Sequence, residues 1–91
     1  MLGLSESFAQ SVQVKGTVTD DSDLPVPGVS ILVKGTNQGT VTDIDGNYQL
    51  NVANAQSVLV FSFLGFKNQE ITVGNQDQID VKLQSEMSDL G

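Results

Sequence analysis

The sequence predicts an all-β fold, a two-sheet β-sandwich of seven short strands. Three observations lead there. Apolar side chains recur with period two along almost the whole chain, as in Val12, Val14 and Val18, or Ile79, Val81 and Leu83, which is the pattern of strands with one buried face. Nine glycines and two prolines interrupt that alternation where turns are needed. No stretch carries helical spacing over a useful length, and a single sheet of this size would leave one apolar face in water, so two sheets must close on each other.

Taken in order, the first strand has Val12, Val14, Gly16 and Val18 inward, with Gln13, Lys15, Thr17 and Thr19 wet. The run DDSDLPVPG, Asp20 to Gly28, is a surface loop, since neither proline can donate to a ladder. Val29, Ile31 and Val33 then alternate with Ser30, Leu32 and Lys34, and only Leu32 breaks the polar face; it is expected to pack against a neighbouring element. Thr40 to Thr42 makes a very short strand and Asn47 to Val52 a longer one, with Tyr48, Leu50 and Val52 inward. The intervening DIDG, Asp43 to Gly46, is expected to join them as a hairpin.

Ala53 to Ser57 is a polar connector. Val58 to Leu64 is apolar on both faces apart from Ser62, which predicts a central strand covered on both sides, with Leu59, Phe61 and Phe63 inward. Tyr48, Phe61, Phe63 and Phe66 are expected in the core. Gly65 reads as a turn or bulge, Lys67 to Val73 as a sixth strand, Gly74 to Gln78 as a turn, and Ile79 to Leu83 as the seventh strand. Gln84 to Gly91 carries no strand signal, and strand order cannot be read from periodicity.

The densest turn chemistry lies between Gly35 and Leu50. Gly35, Gly39 and Gly46 suit positive φ, and Asp43, Asp45 and Asn47 can accept backbone hydrogen bonds. Those three polar residues also fall at i, i+2 and i+4, like the first ligands of a calcium loop. The remainder of such a loop is missing, because its glycine position holds Tyr48 and its bidentate glutamate position holds Asn54. A structural turn is the better reading, with no metal or cofactor implied.

Ninety-one residues make one domain. Four Lys and Arg against eleven Asp and Glu give a net charge of −7, which disfavours nucleic acid and anionic lipid as partners. With no Cys, His or Trp, the chain has no thiolate or imidazole for zinc, for a nucleophile pair or for histidine acid–base chemistry. Carboxylates alone can hydrolyse glycosides, but nothing sets two of them in an apolar cleft, so an enzyme is not expected. A glycan-stacking module is disfavoured by the lack of Trp and the single Tyr. The acidic loop Asp20, Asp21 and Asp23 and the wet face Gln13, Lys15 and Thr17 are the candidate interaction surface. Ser7-Phe8-Ala9 before Gln10 has the small-x-small pattern of a signal-peptidase site, so residues 1–11 are expected to be the remnant of an export signal or an unstructured leader. The longest apolar run, Val58 to Phe61, is far too short to span a membrane.

The segments VKGTVTD (Val14 to Asp20), LPVPGVSILVKGTNQGTVTDIDGNYQL (Leu24 to Leu50), LVFSFLGFKNQEITVG (Leu59 to Gly74) and DVKL (Asp80 to Leu83) resemble the carboxypeptidase-regulatory-like domain. More narrowly, they resemble the copy at the N-terminus of SusC/RagA-type TonB-dependent outer-membrane receptors of Bacteroidetes. The resemblance implies a transthyretin-like, Greek-key (Ig-like) sandwich over residues 12–84. It places Gly35, Gly39, Asp43, Gly46 and Gly65 at turn positions, and Leu50, Leu59, Phe61 and Phe66 in the core. It also implies a non-catalytic role on the periplasmic side of the outer membrane, in a transporter of glycans or peptides, with the domain itself not inserted in the membrane. Residues 85–91 would be a linker toward a TonB box and plug. The implied partners are the plug and barrel of the parent receptor, the TonB complex or another periplasmic protein. The alternatives from other classes are a ligand- or calcium-binding module and a structural spacer of a secreted surface protein or peptidase.

Overall fold

The computed structural model describes residues 11–86. Seven strands follow in order: β1 (Val12–Thr19), β2 (Ser30–Val33), β3 (Gly39–Val41), β4 (Asn47–Val52), β5 (Val58–Ser62), β6 (Gln69–Thr72) and β7 (Val81–Lys82). They form a three-stranded sheet, β4-β1-β7, and a four-stranded sheet, β3-β2-β5-β6. The inward residues of β1, β2, β4, β5 and β7 are those marked by the period-two pattern. Val14, Val18, Val29, Ile31, Leu59, Phe61, Val73 and Leu83 lose all contact with solvent between the sheets, and burial of this apolar surface is the main force closing the sandwich. β5 is central, paired to β2 on one side and β6 on the other, but its outer face, Val58 and Val60, is only half-buried, so the expected cover on both sides is incomplete. Phe63 and Phe66 sit beyond β5 as a half-buried pair, 6.1 Å between ring centroids, on the edge of the core.

The expected β3–β4 hairpin is overturned. The Asp43–Gly46 turn does not close a hairpin, because β3 pairs with β2 and β4 pairs with β1 in the opposite sheet. The turn is a corner that carries the chain across the sandwich. The anchor is Thr42, the buried polar residue just before it. Its hydroxyl donates to the carbonyl of Val26 at 2.7 Å and accepts the Val29 N–H at 2.9 Å, which pins the end of β3 to the loop before β2. The hairpins are β2–β3, closed by Val33 N–H on Gln38 O at 2.9 Å, and β5–β6. Gln84 to Glu86 also differ from the expected unpaired tail: Lys67 N–H donates to Gln84 O and Glu86 N–H to Gly65 O, each at 2.9 Å. Backbone pairing of this kind leaves no trace in side-chain periodicity. Leu32 remains exposed, leaning over the bare Cα of Gly39 on β3.

The three-stranded sheet is built around an absent side chain. Tyr48 on β4 lies opposite Gly16 on β1, and its hydroxyl passes over that glycine to donate to Ile79 O at 2.6 Å. A Cβ on residue 16 would come within 2.0 Å of the Ile79 oxygen. Since the tyrosine occupies that carbonyl, the Thr17 N–H turns to the Asp80 carboxylate, 2.9 Å away. The rest of the β1–β7 seam is parallel backbone pairing, with Ile79 N–H on Lys15 O and Leu83 N–H on Thr19 O. Edge-on contact with Phe61, 5.5 Å between centroids at 78°, ties the tyrosine ring to the opposite sheet.

Two outcomes follow for this seam. Gly16→Ala should destabilise the fold by at least about 2 kcal/mol, because the added methyl meets backbone that cannot yield, and urea denaturation will read the loss. Burial, and secondarily the Asp80 charge, push the Tyr48 phenol above its ordinary value. The unfolded chain therefore gives up this proton first, near pH 10. The contribution of neutral Tyr48 is complete at neutral pH and declines as pH rises past about 10, by up to about 1.4 kcal/mol per unit. The alkaline slope of stability should be shallower in Tyr48→Phe than in the wild type.

Candidate functional site

The two halves of the sequence-derived interaction surface lie apart. Gln13 and Lys15 are exposed on the outer face of the three-stranded sheet, whereas Asp20, Asp21 and Asp23 follow the far end of β1. Five residue steps of extended strand from Lys15 to Asp20 separate them by roughly 16 Å.

The first surface is a shallow groove of about 310 Å3, lined by Lys15, Gly16, Thr17, Asn47, Tyr48, Gln49 and Gln78. The Thr17 hydroxyl donates to Asn47 Oδ1 at 2.7 Å, and Gln78 Nε2 lies 3.4 Å from both Asp80 oxygens. Its chemistry is hydroxyl, amide and ammonium, suited to hydrogen bonding; nothing in it is a nucleophile set beside a base. Among the described residues no group of three or more carboxylates or other ligating side chains is placed to hold a metal ion.

The second surface divides its acids by role. Asp20 Oδ1 accepts the N–H groups of Ser22 (2.8 Å) and Leu24 (3.0 Å), its own N–H donates to Leu24 O, and its carbonyl accepts the Asp23 N–H. Asp23 has φ +66° and forms an ion pair with Lys82 at 2.9 Å. This hydrogen bond, reinforced by the charges of Asp23, Asp21 and Asp20, raises the Lys82 ammonium above its usual range. Asp21 is exposed.

The Asp43 turn repeats this arrangement atom for atom. Asp43 Oδ1 accepts the N–H groups of Asp45 and Asn47, both at 2.9 Å; its N–H donates to Asn47 O, and its carbonyl accepts the Gly46 N–H. Gly46, with φ +77°, stands where the first loop has Asp23. The sequence reading found the second turn and missed that the first is its twin. The available signal was an Asp three places before a residue that tolerates positive φ, a position Gly fills easily and Asp only with its own side-chain bonding. One carboxylate oxygen of Asp43, Oδ1, is thus committed to backbone. Asp45 is exposed, and Asn47 serves Thr17. Gly35 and Gly65 have φ +82° and +89° at the tips of the two hairpins, whereas Gly39 is an ordinary strand residue whose missing Cβ makes room for Leu32.

A family model described as the CarboxypepD_reg-like domain matches residues 14–90. The chain belongs to this family. Its similar proteins include TonB-dependent receptor P3 of Formosa agariphila, 48% identical over 90% of this chain, and TonB-dependent receptor SusC of Bacteroides thetaiotaomicron, 43% identical over 92%. The chain spans only 8% of the length of either relative. Among solved structures, a chain of a type II cohesin–X-dockerin complex from Acetivibrio cellulolyticus superposes with a TM-score of 0.66 at 16% identity, covering 81% of this chain and 58% of that one. That likeness shows the sandwich fold of the CarboxypepD_reg-like domain and nothing of its role.

The Asp43 turn is open to test. Asp43→Ala should cost about 1–2 kcal/mol in urea denaturation, since two backbone N–H groups lose a charged acceptor but stay in reach of water. Asp43→Asn keeps an acceptor oxygen and should cost less.

Proposed function

We propose that this domain is a non-catalytic N-terminal extension on the periplasmic side of the outer membrane, part of a TonB-dependent transporter of glycans or peptides. It acts through protein–protein contacts in energy coupling or assembly. The observation that carries this reading is the 42–48% identity to several proteins that are all TonB-dependent receptors. The surface chemistry agrees with it. A groove of amides and hydroxyls and a loop of acids can hold another protein, and neither assembles a reacting group. The partners that fit are the plug and barrel of the same receptor, the TonB complex, or another periplasmic protein. Asp21 and the Asp23–Lys82 pair would meet a basic face, and Gln13, Lys15 and Thr17 a neutral one.

Removal of residues 12–86 from the full receptor, with substrate uptake and outer-membrane assembly measured side by side, tests the proposal. Loss of uptake with normal assembly would assign the domain to energy coupling, and loss of assembly would assign it to biogenesis. Unchanged uptake and assembly would overturn the reading.

A further inference from the structure

The two flanks of the sandwich are closed differently. Where β6 meets β7, the sheets are zipped: Gln69 Nε2 donates to Lys82 O at 2.7 Å, Phe66 and Ser85 form an antiparallel bridge, and Gln84 and Glu86 bond to Lys67 and Gly65. On the other flank β3 and β4 face each other without pairing. The direction of their free backbone groups follows from the registers. Lys15 and Thr19 direct their N–H and C=O to the β7 side, so Val14 and Gly16 bond to β4 through Leu50 and Tyr48. Gln49 and Asn51 therefore aim their backbone groups away from β1, into the flank. Likewise Val33 bonds to Gln38, and Thr42 N–H to Val29 O, which leaves Gly39 and Val41 of β3 turned outward.

This flank is bounded at both ends. Gln38 Nε2 reaches across to Asn51 O at one end, and the Asp43 turn occupies the Asn47 backbone at the other. Between them lies a cleft of about 280 Å3, lined by Val41, Asp43, Asn47, Tyr48 and Gln49. Val41 stands 61% exposed at its rim.

Edge strands normally carry a guard against further pairing: a charge, a proline, a bulge or very short length. β6 has Glu70, β7 has Lys82, and β3 is three residues long. β4, NYQLNV, runs six residues with no charge and no proline. An unguarded edge with alternating donors and acceptors beside an apolar rim is the layout used for strand addition.

We propose that the β3–β4 flank binds an extended peptide segment, which adds as a strand through the N–H and C=O of Gln49 and the N–H of Asn51, whose carbonyl Gln38 already holds. β-branched side chains of that segment would lie against Val41, and a Lys or Arg would stand opposite the exposed carboxylates of Asp43 and Asp45. Charge complementarity selects a basic segment, because Asp43 and Asp45 are the charged groups at this end of the cleft and the chain as a whole is at −7. The site works on the isolated chain and does not require the transporter reading.

The test uses the 15N-labelled chain titrated with octapeptides of alternating valine and threonine that carry no, one or two lysines at one end. Without peptide, the Gln49 and Asn51 amides should exchange with solvent much faster than those of Tyr48 and Leu50 on the same strand, which also verifies the fold. With lysine-bearing peptide, shifts should group at Gly39, Val41, Gln49 and Asn51. Exchange at Gln49 and Asn51 should slow about tenfold when ligand is about ten times Kd. Val41→Lys, at an exposed position, should abolish the response. No response to any peptide at millimolar concentration, shifts grouped elsewhere, or an unaltered response in Val41→Lys would overturn the proposal. So would the same shifts appearing with rising chain concentration alone, which would give the flank to a second copy.

Discussion

The Tyr48 hydroxyl reaches the Ile79 carbonyl because residue 16 has no side chain, and much of the smaller sheet is arranged around that reach. With the carbonyl taken by a phenol, β1 cannot complete a plain parallel ladder with β7. The displaced Thr17 N–H finds the Asp80 carboxylate instead, which in turn orders Gln78. The tyrosine ring meets Phe61 edge-on, so a polar contact inside one sheet also sets the spacing to the other. A buried hydrogen bond of this kind contributes more to the choice of one packing than to net stability.

What could be read in advance divides along a physical line. Side-chain periodicity reports which residues turn inward, and the inward sets of β1, β2, β4 and β7 were legible for that reason. It reports nothing about partners. Asp43 to Gly46 has the composition of a hairpin turn, yet Thr42 holds β3 against the Val26–Val29 segment and the turn leads to the other sheet. The pairing of Gln84 to Glu86 was hidden because it runs through backbone. Gly16 read as a mere member of an alternating strand; its role depends on Tyr48 and Ile79, far away in sequence. The candidate interaction residues were legible as exposed positions, but their separation onto two surfaces required the strand geometry.

The acids also change meaning once placed. Asp20 and Asp43 are two of eleven acidic residues that give the domain its charge, but each works first as a clamp, holding two N–H groups in a turn of the same design. Their charge is held at a fixed place on the surface by those bonds, whereas Asp21 and Asp45 carry theirs on exposed side chains.

β1 is the centre of its sheet, and the strand on one side of it, β7, comes from the other end of the domain. During synthesis the first strand made must wait for nearly the whole domain before its second neighbour exists, since Val18 pairs with Val81. Loops that long are slow to close and leave early strands exposed in the meantime. A nascent chain of this domain therefore keeps one edge of β1 unpaired until its last strand emerges. A truncation that removes only β7 would strip the central strand of half its partners.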